Sequence, residues 1–337
     1  MEEPTNETKS VAVVAFGGNT LVQPDEEGHV EEQLRNAEHA AEALTTLLAR
    51  DHDLLVVHGN GPQVGHELLR QEESSTKMPA MPLDACVANT QGAMGYLLER
   101  AFRNHLTRSD FRRNIATLMT QVVVDPRDAA FQEPTKPIGP YYTPYRARQL
   151  MKEKGWTLVE EKGRGFRMVV PSPRPLRVLG IDAAQRLLAA GYIVVIGGGG
   201  GIPVAHDPLG ELHGLEAVID KDLTASLIAR KIRAEMLVLL TNVDQVSIHY
   251  NTPRETALGD VSLEEMTLLH EAGHFAVGSM EPKVLAGIEF LKAGGGRVLI
   301  TSARHLTRAL DGKSGTWITN PGAFDASKAP PQLALKL

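Results

Sequence analysis

The chain has 337 residues and a formal net charge of −6, with 42% hydrophobic and 23% charged residues. This balance is typical of a globular protein with a large core, and the acidic surplus argues against binding to nucleic acid or to an anionic membrane. Cys86 is the only cysteine, which excludes an intrachain disulfide and a multi-cysteine metal site and favours a reducing, cytoplasmic compartment. The polar start MEEPTNETKS has no secretory signal pattern, and no apolar run approaches the roughly 18 residues of a membrane-spanning helix.

Short β-branched runs alternate with helical patterns in the first part of the chain. The runs VAVVAF and DLLVVHGN predict strands, and the segment between them has apolar residues at helical spacing. Such alternation predicts a parallel sheet covered by helices on both faces. The predicted elements are a strand at 11–16, a helix at 31–50, a strand at 53–60, a helix at 89–102 and a strand within 117–125.

The alternation lapses between Pro126 and Pro175, a segment that contains many of the prolines. Within it, WTLVEEKGRGFRMVVP predicts a hairpin that turns at Gly163 and Gly165. We therefore expect a small subdomain, spanning about 126–175, that projects from the main sheet.

Regular alternation resumes after this segment. It predicts a strand at 192–197, a helix at 220–232, a strand at 235–244, a helix at 282–295 and a strand at 297–303. The polar stretch HDPLGELHG lies within 205–216, where we expect a boundary between two lobes. The chain is thus divided into an extension (1–10), a first lobe (11–215), a second lobe (216–320) and a peripheral tail (321–337).

The run of five glycines at 197–201 does not match either of two common phosphate-binding motifs. A dinucleotide fingerprint would need glycine where Ile202 stands, and a Walker A loop would need Gly-Lys-Ser/Thr where Ile-Pro-Val stands. Gly312, Lys313 and Ser314 do form that tripeptide, but the leading glycine of the motif is replaced by Thr307. Both motifs are therefore disfavoured.

The pentapeptide HEAGH at 270–274 matches a zinc-hydrolase pattern, with His270 and His274 as ligands and Glu271 as the base. Two imidazoles share a metal only if both lie on one continuous helical face. Gly273 predicts the end of the helix just before His274, so the simpler interpretation is a helix C-terminus with histidines near its carbonyl groups.

Three glycine-rich loops directly follow predicted strands, namely FGGNT, HGNGPQVG and GGGGGIP. Loops at the carboxyl ends of parallel strands meet at one edge of the sheet, where backbone N–H groups can bind an anion. Each loop alone is equally consistent with a tight turn. Together they predict a shared pocket in which the main chain approaches a ligand closely.

Three lysines are placed to complement such a pocket, since Lys136, Lys221 and Lys283 lie in loops or at predicted helix starts. They are candidates for binding a phosphate, although a lone lysine is more often a solvated surface group. Asp222 could orient these lysines or hold magnesium, or could simply complement a helix dipole. The chain offers no Ser-His-Asp or Cys-His pattern for a nucleophile.

Nine ordered strings between Val11 and Thr319 together resemble the carbamate kinases of the amino acid kinase superfamily. The strings are GGNT, HGNGPQVG, MPLDACVANTQGAMGY, TQVVVDPRDAAFQEPTKPIGP, GRGFRMVVPSPRP, GGGGGIPV, EAVIDKDLTA, HFAVGSMEPKV and SGTWIT. The resemblance implies an α/β fold, a three-layer αβα sandwich around a mainly parallel, open sheet of about eight strands with a small projecting subdomain.

The resemblance also implies a homodimeric enzyme that transfers a phosphoryl group reversibly between ATP and carbamate, with Mg²⁺ carried by the nucleotide and no metal site of the protein's own. Lys136, Lys221 and Lys283 would act on the transferring group, and Asp222 would organise the three lysines. The first lobe would bind the acceptor and the second the nucleotide. The implied acceptor residues are Gly17, Gly18, Asn19, Gly59, Asn60, Gly61, Gly199 and Gly200, and the implied nucleotide residues are Asp244, Tyr250, Met280 and Lys283.

The chain departs from the family pattern at three places: Phe16 replaces a leucine, Asn242 replaces an acidic or small residue, and NTP at 251–253 replaces a Gly-Lys-Pro-like turn. The last departure bears on the nucleotide contacts. Three alternatives stay open: a kinase acting on another small acceptor, a non-catalytic sensor with the same fold, and zinc hydrolysis through HEAGH. The physiological direction of the reaction is not determined by the residues.

Overall fold

The computed structural model describes residues 10–23, 26–161 and 163–320, which form nine α-helices and seventeen β-strands. The predicted extension (1–10, apart from Ser10) and the predicted tail (321–337) lie outside the described residues. The helices are α1 (Val30–Leu48), α2 (Gly61–Ser74), α3 (Leu83–Thr107), α4 (Pro144–Lys154), α5 (Ile181–Ala189), α6 (Lys221–Ile232), α7 (Leu263–Glu271), α8 (Glu281–Lys292) and α9 (Leu306–Leu310). No helix in this part of the chain is long and apolar enough to span a bilayer.

The strands are β1 (Ser10–Phe16), β2 (His52–His58), β3 (Ile115–Thr117), β4 (Gln121–Val123), β5 (Lys136–Tyr142), β6 (Leu158–Glu161), β7 (Gly165–Val170), β8 (Arg177–Val178), β9 (Ile193–Val195), β10 (Ile202–His206), β11 (Leu212–Gly214), β12 (Met236–Thr241), β13 (Ser247–Ile248), β14 (Thr256–Ala257), β15 (Asp260–Ser262), β16 (Arg297–Ser302) and β17 (Thr316–Thr319).

Eight strands form the central sheet, in the order β15-β17-β16-β12-β1-β2-β9-β3. Only the β16–β17 pair is antiparallel among the pairs of this sheet. The prediction of a mainly parallel sheet of about eight strands is therefore confirmed. Each predicted lobe contributes four adjacent strands, which meet where β1 pairs with β12 in the register Val13 to Leu237.

The sheet separates two hydrophobic cores, as alternation along β1 requires. Val13 and Ala15 belong to the core beneath α5, α6 and α8, whereas Ala12, Val14 and Phe16 belong to the core beneath α1, α3 and α9. All five side chains are fully buried, and complete burial of an aliphatic side chain stabilises a fold by about 1.5–3 kcal/mol. The chain thus folds as the predicted three-layer αβα sandwich.

The strand predicted within 117–125 is present as β4, but it lies in a second sheet and is separated from β3, which ends at Thr117. β3 ends the central sheet, and β4 belongs to a second sheet in the order β11-β10-β4-β8. Between them, the Gln91 side chain accepts a hydrogen bond from Thr120 N (2.8 Å) and donates one to Thr120 O (3.1 Å). A side chain from α3 therefore binds the backbone of Thr120 at the break between β3 and β4, where Thr120 O also accepts from Ile202 N of β10 (2.8 Å).

Between β4 and β8 the chain forms a separate antiparallel sheet, in the order β5-β7-β6, packed with α4. The predicted hairpin is confirmed: β6 pairs with β7 across a turn in which Gly163 and Gly165 have φ of 79° and 114°. This element contacts α2 where Gly65 and Gly139 cross, since a Cβ on Gly65 would lie 2.0 Å from Gly139 Cα. Two glycines therefore permit the close approach that brings β5 to the edge of the central sheet.

Candidate active site

The three glycine-rich loops meet at the carboxyl edge of the central sheet. Gly59, which follows β2, donates its N–H to Phe16 O at the end of β1 (2.7 Å). A Cβ on Gly59 would lie 2.8 Å from Lys221 Cδ and 3.1 Å from Gly18 N. A side chain at position 59 would crowd both neighbours, so the first two loops and the start of α6 lie close together.

The third loop, at 197–201, is held against the same group of residues. Four of its five glycines have positive φ, from 66° to 98°, a region that other residues rarely adopt. A Cβ on Gly199 would lie 2.3 Å from Asn60 Nδ2, and one on Gly200 would lie 2.4 Å from Ile219 O. Thr224 Oγ1 also donates to Gly200 O (2.7 Å). The loop conformation is therefore fixed by α6 and by the loop after β2.

The acceptor residues implied by the resemblance lie on these loops. Gly18 and Asn19 form a short 3₁₀ turn whose preceding residue is Gly17, and Gly61 begins α2. The side chain of Asn60 is buried and donates to Thr90 Oγ1 (2.8 Å). Gln63 also belongs here, because its Nε2 donates to Gly18 O (3.1 Å), and the sequence analysis did not single it out.

A cluster of lysines and carboxylates lies where α6 and α8 begin. Lys221 Nζ donates to both carboxylate oxygens of Asp222 (2.8 and 2.7 Å), and Lys283 Nζ donates to Asp222 Oδ2 (3.1 Å). Asp222 is only 2% exposed and Lys221 8%. The structure thus brings Lys221, Asp222 and Lys283 together in a nearly buried position.

Lys136 is the first residue of β5, in the separate β5-β7-β6 sheet with α4, which we call the projecting element. Its side chain reaches the start of α6 but does not pair with Asp222. Its ammonium group instead pairs with Asp220 Oδ2 (2.6 Å). The other oxygen of Asp220 caps α6 by accepting from Asp222 N (2.9 Å) and Leu223 N (3.4 Å). The assignment of all three lysines to Asp222 is therefore corrected, and sequence reasoning missed Asp220, whose only signal was its N-cap position before α6.

Burial and charge act in opposite directions on the acid–base equilibria of this cluster. Burial favours the neutral form of Asp220, but the ammonium groups of Lys136 and Lys221 outweigh it and hold the pKa of Asp220 below its usual range. Burial lowers the pKa of Lys221 to about 8 despite its contact with Asp222. Burial also opposes the charge on Lys283, yet Asp222 and Asp220 raise the pKa of that lysine. Counted by formal charge, the three lysines face two carboxylates, which leaves a net charge of +1.

The implied nucleotide residues lie further along the same edge. Asp244 follows β12 and accepts from Ser302 Oγ (2.7 Å) and His305 Nδ1 (2.6 Å), two partners that sequence reasoning missed. The hydrogen bond from Ser302 is the main cause of the lowered pKa of Asp244. Tyr250 is 62% exposed in the connection between β13 and β14, and Met280 is the N-cap residue of α8.

The HEAGH pentapeptide does not form a shared metal site. Helix α7 ends at Glu271, and Gly273 has a φ of 72°, as the helix-terminus interpretation requires. His270 Nε2 contacts Glu281 Oε1 (3.1 Å), whereas the His274 ring packs edge-on against the His249 ring at 5.0 Å. Among the described residues no group of three or more His, Cys, Asp or Glu side chains is arranged to hold a metal ion.

The Gly312-Lys313-Ser314 tripeptide also lacks the setting of a Walker loop. It follows helix α9 and leads into β17, whereas a Walker lysine lies between a strand and the helix that follows it. Lys313 Nζ lies 3.9 Å from Asp311 Oδ2. This turn therefore connects two elements and is not a phosphate cradle.

Comparisons with known proteins identify the family of this chain. The model of the amino acid kinase family matches residues 10–302. The chain is 43% identical over 309 residues to a carbamate kinase of Pyrococcus horikoshii, covering 91% of this chain and 98% of that protein, and 42% identical to the carbamate kinase-like protein YahI of Escherichia coli, covering 92% and 99%. A solved carbamate kinase from Giardia lamblia bound to AMP-PNP superposes with a TM-score of 0.85 at 39% identity, covering 93% and 99%. This chain therefore belongs to the amino acid kinase family, among the carbamate kinases.

Proposed function

We propose that this protein catalyses reversible phosphoryl transfer between MgATP and carbamate, giving ADP and carbamoyl phosphate. The observation that carries the proposal is the group of Lys136, Lys221 and Lys283, which converges with Asp220 and Asp222 beside three glycine-rich loops. The relatives named carbamate kinase, which span almost the whole chain, specify carbamate as the acceptor.

The arrangement suits a reaction whose main obstacle is charge repulsion. Two unit charges 4 Å apart repel by about 4 kcal/mol at an effective dielectric constant of about 20, and carbamate must approach a highly charged terminal phosphate. The carbamate oxygen is already anionic, so no general base is needed. The cluster supplies a net positive charge instead, held in position before the substrates bind.

The three lysines enter the site from different elements, which allows them to surround one phosphoryl group. Lys221 extends from the start of α6 and Lys283 from the start of α8, and Asp222 fixes both. Lys136 comes from the projecting element. Its contribution therefore depends on how that element lies over the site.

The acceptor and the group in transfer would bind against the loops. Main-chain N–H groups of Gly17, Gly18, Asn19, Gly61 and Gly199 are the proposed donors, together with Asn60. Gly59 and Gly200 would line the site without donating, because their N–H groups bond to Phe16 O and Gly197 O. Support comes from the close contacts between the loops, since a Cβ at Gly59, Gly199 or Gly200 would fall within 3 Å of a neighbouring atom. A fixed backbone of this kind binds developing charge without reorganisation.

The nucleotide would bind on the side formed by Asp244, Tyr250 and Met280, with Lys283 at its boundary to the phosphates. Mg²⁺ would enter as part of the nucleotide, because Mg²⁺ is usually bound through substrate phosphates and only one or two carboxylates. Asp220 and Asp222 both face lysines, and Mg²⁺ bound to the nucleotide would add a second source of positive charge.

The resemblance to carbamate kinases supports three further parts of the proposal. The enzyme would be a homodimer, it would work in the cytoplasm, and it would run toward ATP synthesis in arginine deiminase-type catabolism. The single, buried Cys86 fits a reducing compartment. Sedimentation of the purified protein tests the first of these statements, since a monomer at assay concentration would contradict it.

One assay tests the activity itself: purified protein is mixed with MgADP and carbamoyl phosphate, and ATP formation is followed. We expect rapid ATP formation that EDTA abolishes, and Lys283→Ala serves as the impaired control. Folded protein that binds ADP but forms no ATP would contradict the proposal and favour a non-catalytic sensor. Faster turnover with acetyl phosphate in place of carbamoyl phosphate would instead identify another acceptor.

A further inference from the structure

The structure assigns to Asp220 a positioning role in phosphoryl transfer: its carboxylate holds the ammonium group of Lys136 at the start of α6, beside Lys221 and Asp222. This inference rests on the proposed function. It concerns a residue that touches no substrate and acts through a lysine.

The two oxygens of Asp220 have separate partners. Oδ1 accepts from Asp222 N and Leu223 N and thereby caps α6, while Oδ2 accepts from Lys136 Nζ (2.6 Å). The Asp220 side chain is 16% exposed and that of Lys136 22%, so water screens the pair only partly. One carboxylate thus joins the projecting element to the helix that begins with the catalytic Lys221.

The backbone around this ion pair shows why it controls the position of Lys136. In β5 and β7, Lys136 pairs with Val170, and Val218 N donates to Pro171 O (2.9 Å). The base of the projecting element is therefore attached to the segment that leads into Asp220. These contacts fix the main chain near Lys136. The Lys136 side chain is flexible and would sample several rotamers, so its ammonium group is fixed by the ion pair with Asp220.

Loss of the carboxylate should have opposite effects on binding and on turnover. Without Asp220 the net charge of the cluster rises from +1 to +2, which favours binding of an anionic substrate. At the same time Lys136 loses the partner that holds it in position, and catalysis depends steeply on such positioning. A general folding defect would not lower KM.

The test variant is Asp220→Asn, which keeps an N-cap acceptor for α6 and removes the ion pair. We expect kcat for ATP formation from MgADP and carbamoyl phosphate to fall at least about tenfold, with KM for carbamoyl phosphate unchanged or lower. In a Lys136→Met background the same substitution should change kcat by less than about twofold, because its effect passes through Lys136. Asp311→Asn is the matched control, since it breaks an ion pair of the same length with Arg50 on the surface (2.6 Å).

Two results would overturn the assignment: wild-type kcat in Asp220→Asn, whatever its KM, or an equal loss in both backgrounds. Equal losses would mean that Asp220 acts by capping α6 and not through Lys136. Thermal melting of each variant separates unfolding from loss of positioning. If the wild-type protein itself forms no ATP, the proposed function fails, which is a different result from an active wild type with an unaffected Asp220→Asn variant.

Discussion

The two sides of the site differ in how firmly the fold holds them. One side, which we call the phosphoryl side, consists of the lysine and carboxylate cluster and the glycine loops. There Lys221 and Asp222 are nearly buried and the glycine loops contact one another closely. On the nucleotide side, Tyr250 is 62% exposed, and its neighbours His249 and Asn251 adopt positive φ of 52° and 60°. The fold therefore fixes the groups proposed to stabilise the transferred charge, whereas Tyr250, which is assigned to the nucleotide, lies in an exposed connection.

The largest expected effect is that of Lys283→Ala on the phosphoryl side. We expect kcat to fall at least about a hundredfold, or about 2.7 kcal/mol in activation free energy, because a cation that faces the transferring group is lost. The protein should stay folded, since Asp222 keeps both hydrogen bonds from Lys221. Steady-state kinetics and a thermal melt measure the two properties.

The control for Lys283→Ala is Lys313→Ala, which removes an exposed lysine 3.9 Å from Asp311. That variant should retain wild-type kcat. Near-normal turnover of Lys283→Ala would remove Lys283 from the mechanism and would weaken the contrast between the two sides.

Gly199→Ala tests the rigidity of the glycine loop. Its new Cβ would lie 2.3 Å from Asn60 Nδ2 at a φ of 67°, so the loop or Asn60 must move, and we expect kcat/KM to fall at least about tenfold. Gly210→Ala is the matched control, because Gly210 also has positive φ (85°) but a Cβ there meets nothing within 4 Å. The control should lose only about 1–2 kcal/mol of stability through backbone strain while keeping its activity, and equal kinetic losses in both variants would show that strain alone matters.

The pH dependence of activity tests the effect of burial on the phosphoryl side of the site. Burial lowers the pKa of Lys221 to about 8, so the free enzyme loses this positive charge as the pH rises above that value. We expect kcat/KM for carbamoyl phosphate to fall about tenfold per pH unit above about pH 8. Lys221→Arg, whose guanidinium stays charged, should have a flat profile between pH 7 and 9, and an unchanged alkaline limb in this variant would assign the titration to another group.

Sequence patterns predicted much of the fold and of the site because both leave local signals. Short β-branched runs that alternate with helical patterns predicted the parallel sheet, and glycines after strands predicted the loops that meet at its carboxyl edge. The partners in the cluster were not predictable in the same way. The pairing of Lys136 with Asp220 joins residues 84 positions apart, and at the break between β3 and β4 Thr120 is bound by Gln91, which lies 29 positions earlier in α3. Such contacts are fixed by tertiary packing, which a local pattern does not encode.

The smallest effect is expected on the nucleotide side, where Tyr250→Ala should raise KM for ADP about three- to tenfold with kcat within about twofold. A large effect on kcat is not expected, because Tyr250 lies in an exposed connection and an aromatic contact to the base binds substrate and transition state equally. The rise in KM corresponds to about 0.6–1.4 kcal/mol of binding free energy, the range of a partly exposed aromatic contact. Tyr145→Ala, at a position 68% exposed on α4, is the matched control and should leave KM for ADP unchanged. A hundredfold loss of kcat in Tyr250→Ala would show that this connection closes onto the reacting groups, and the contrast between a fixed and an open side would then fail.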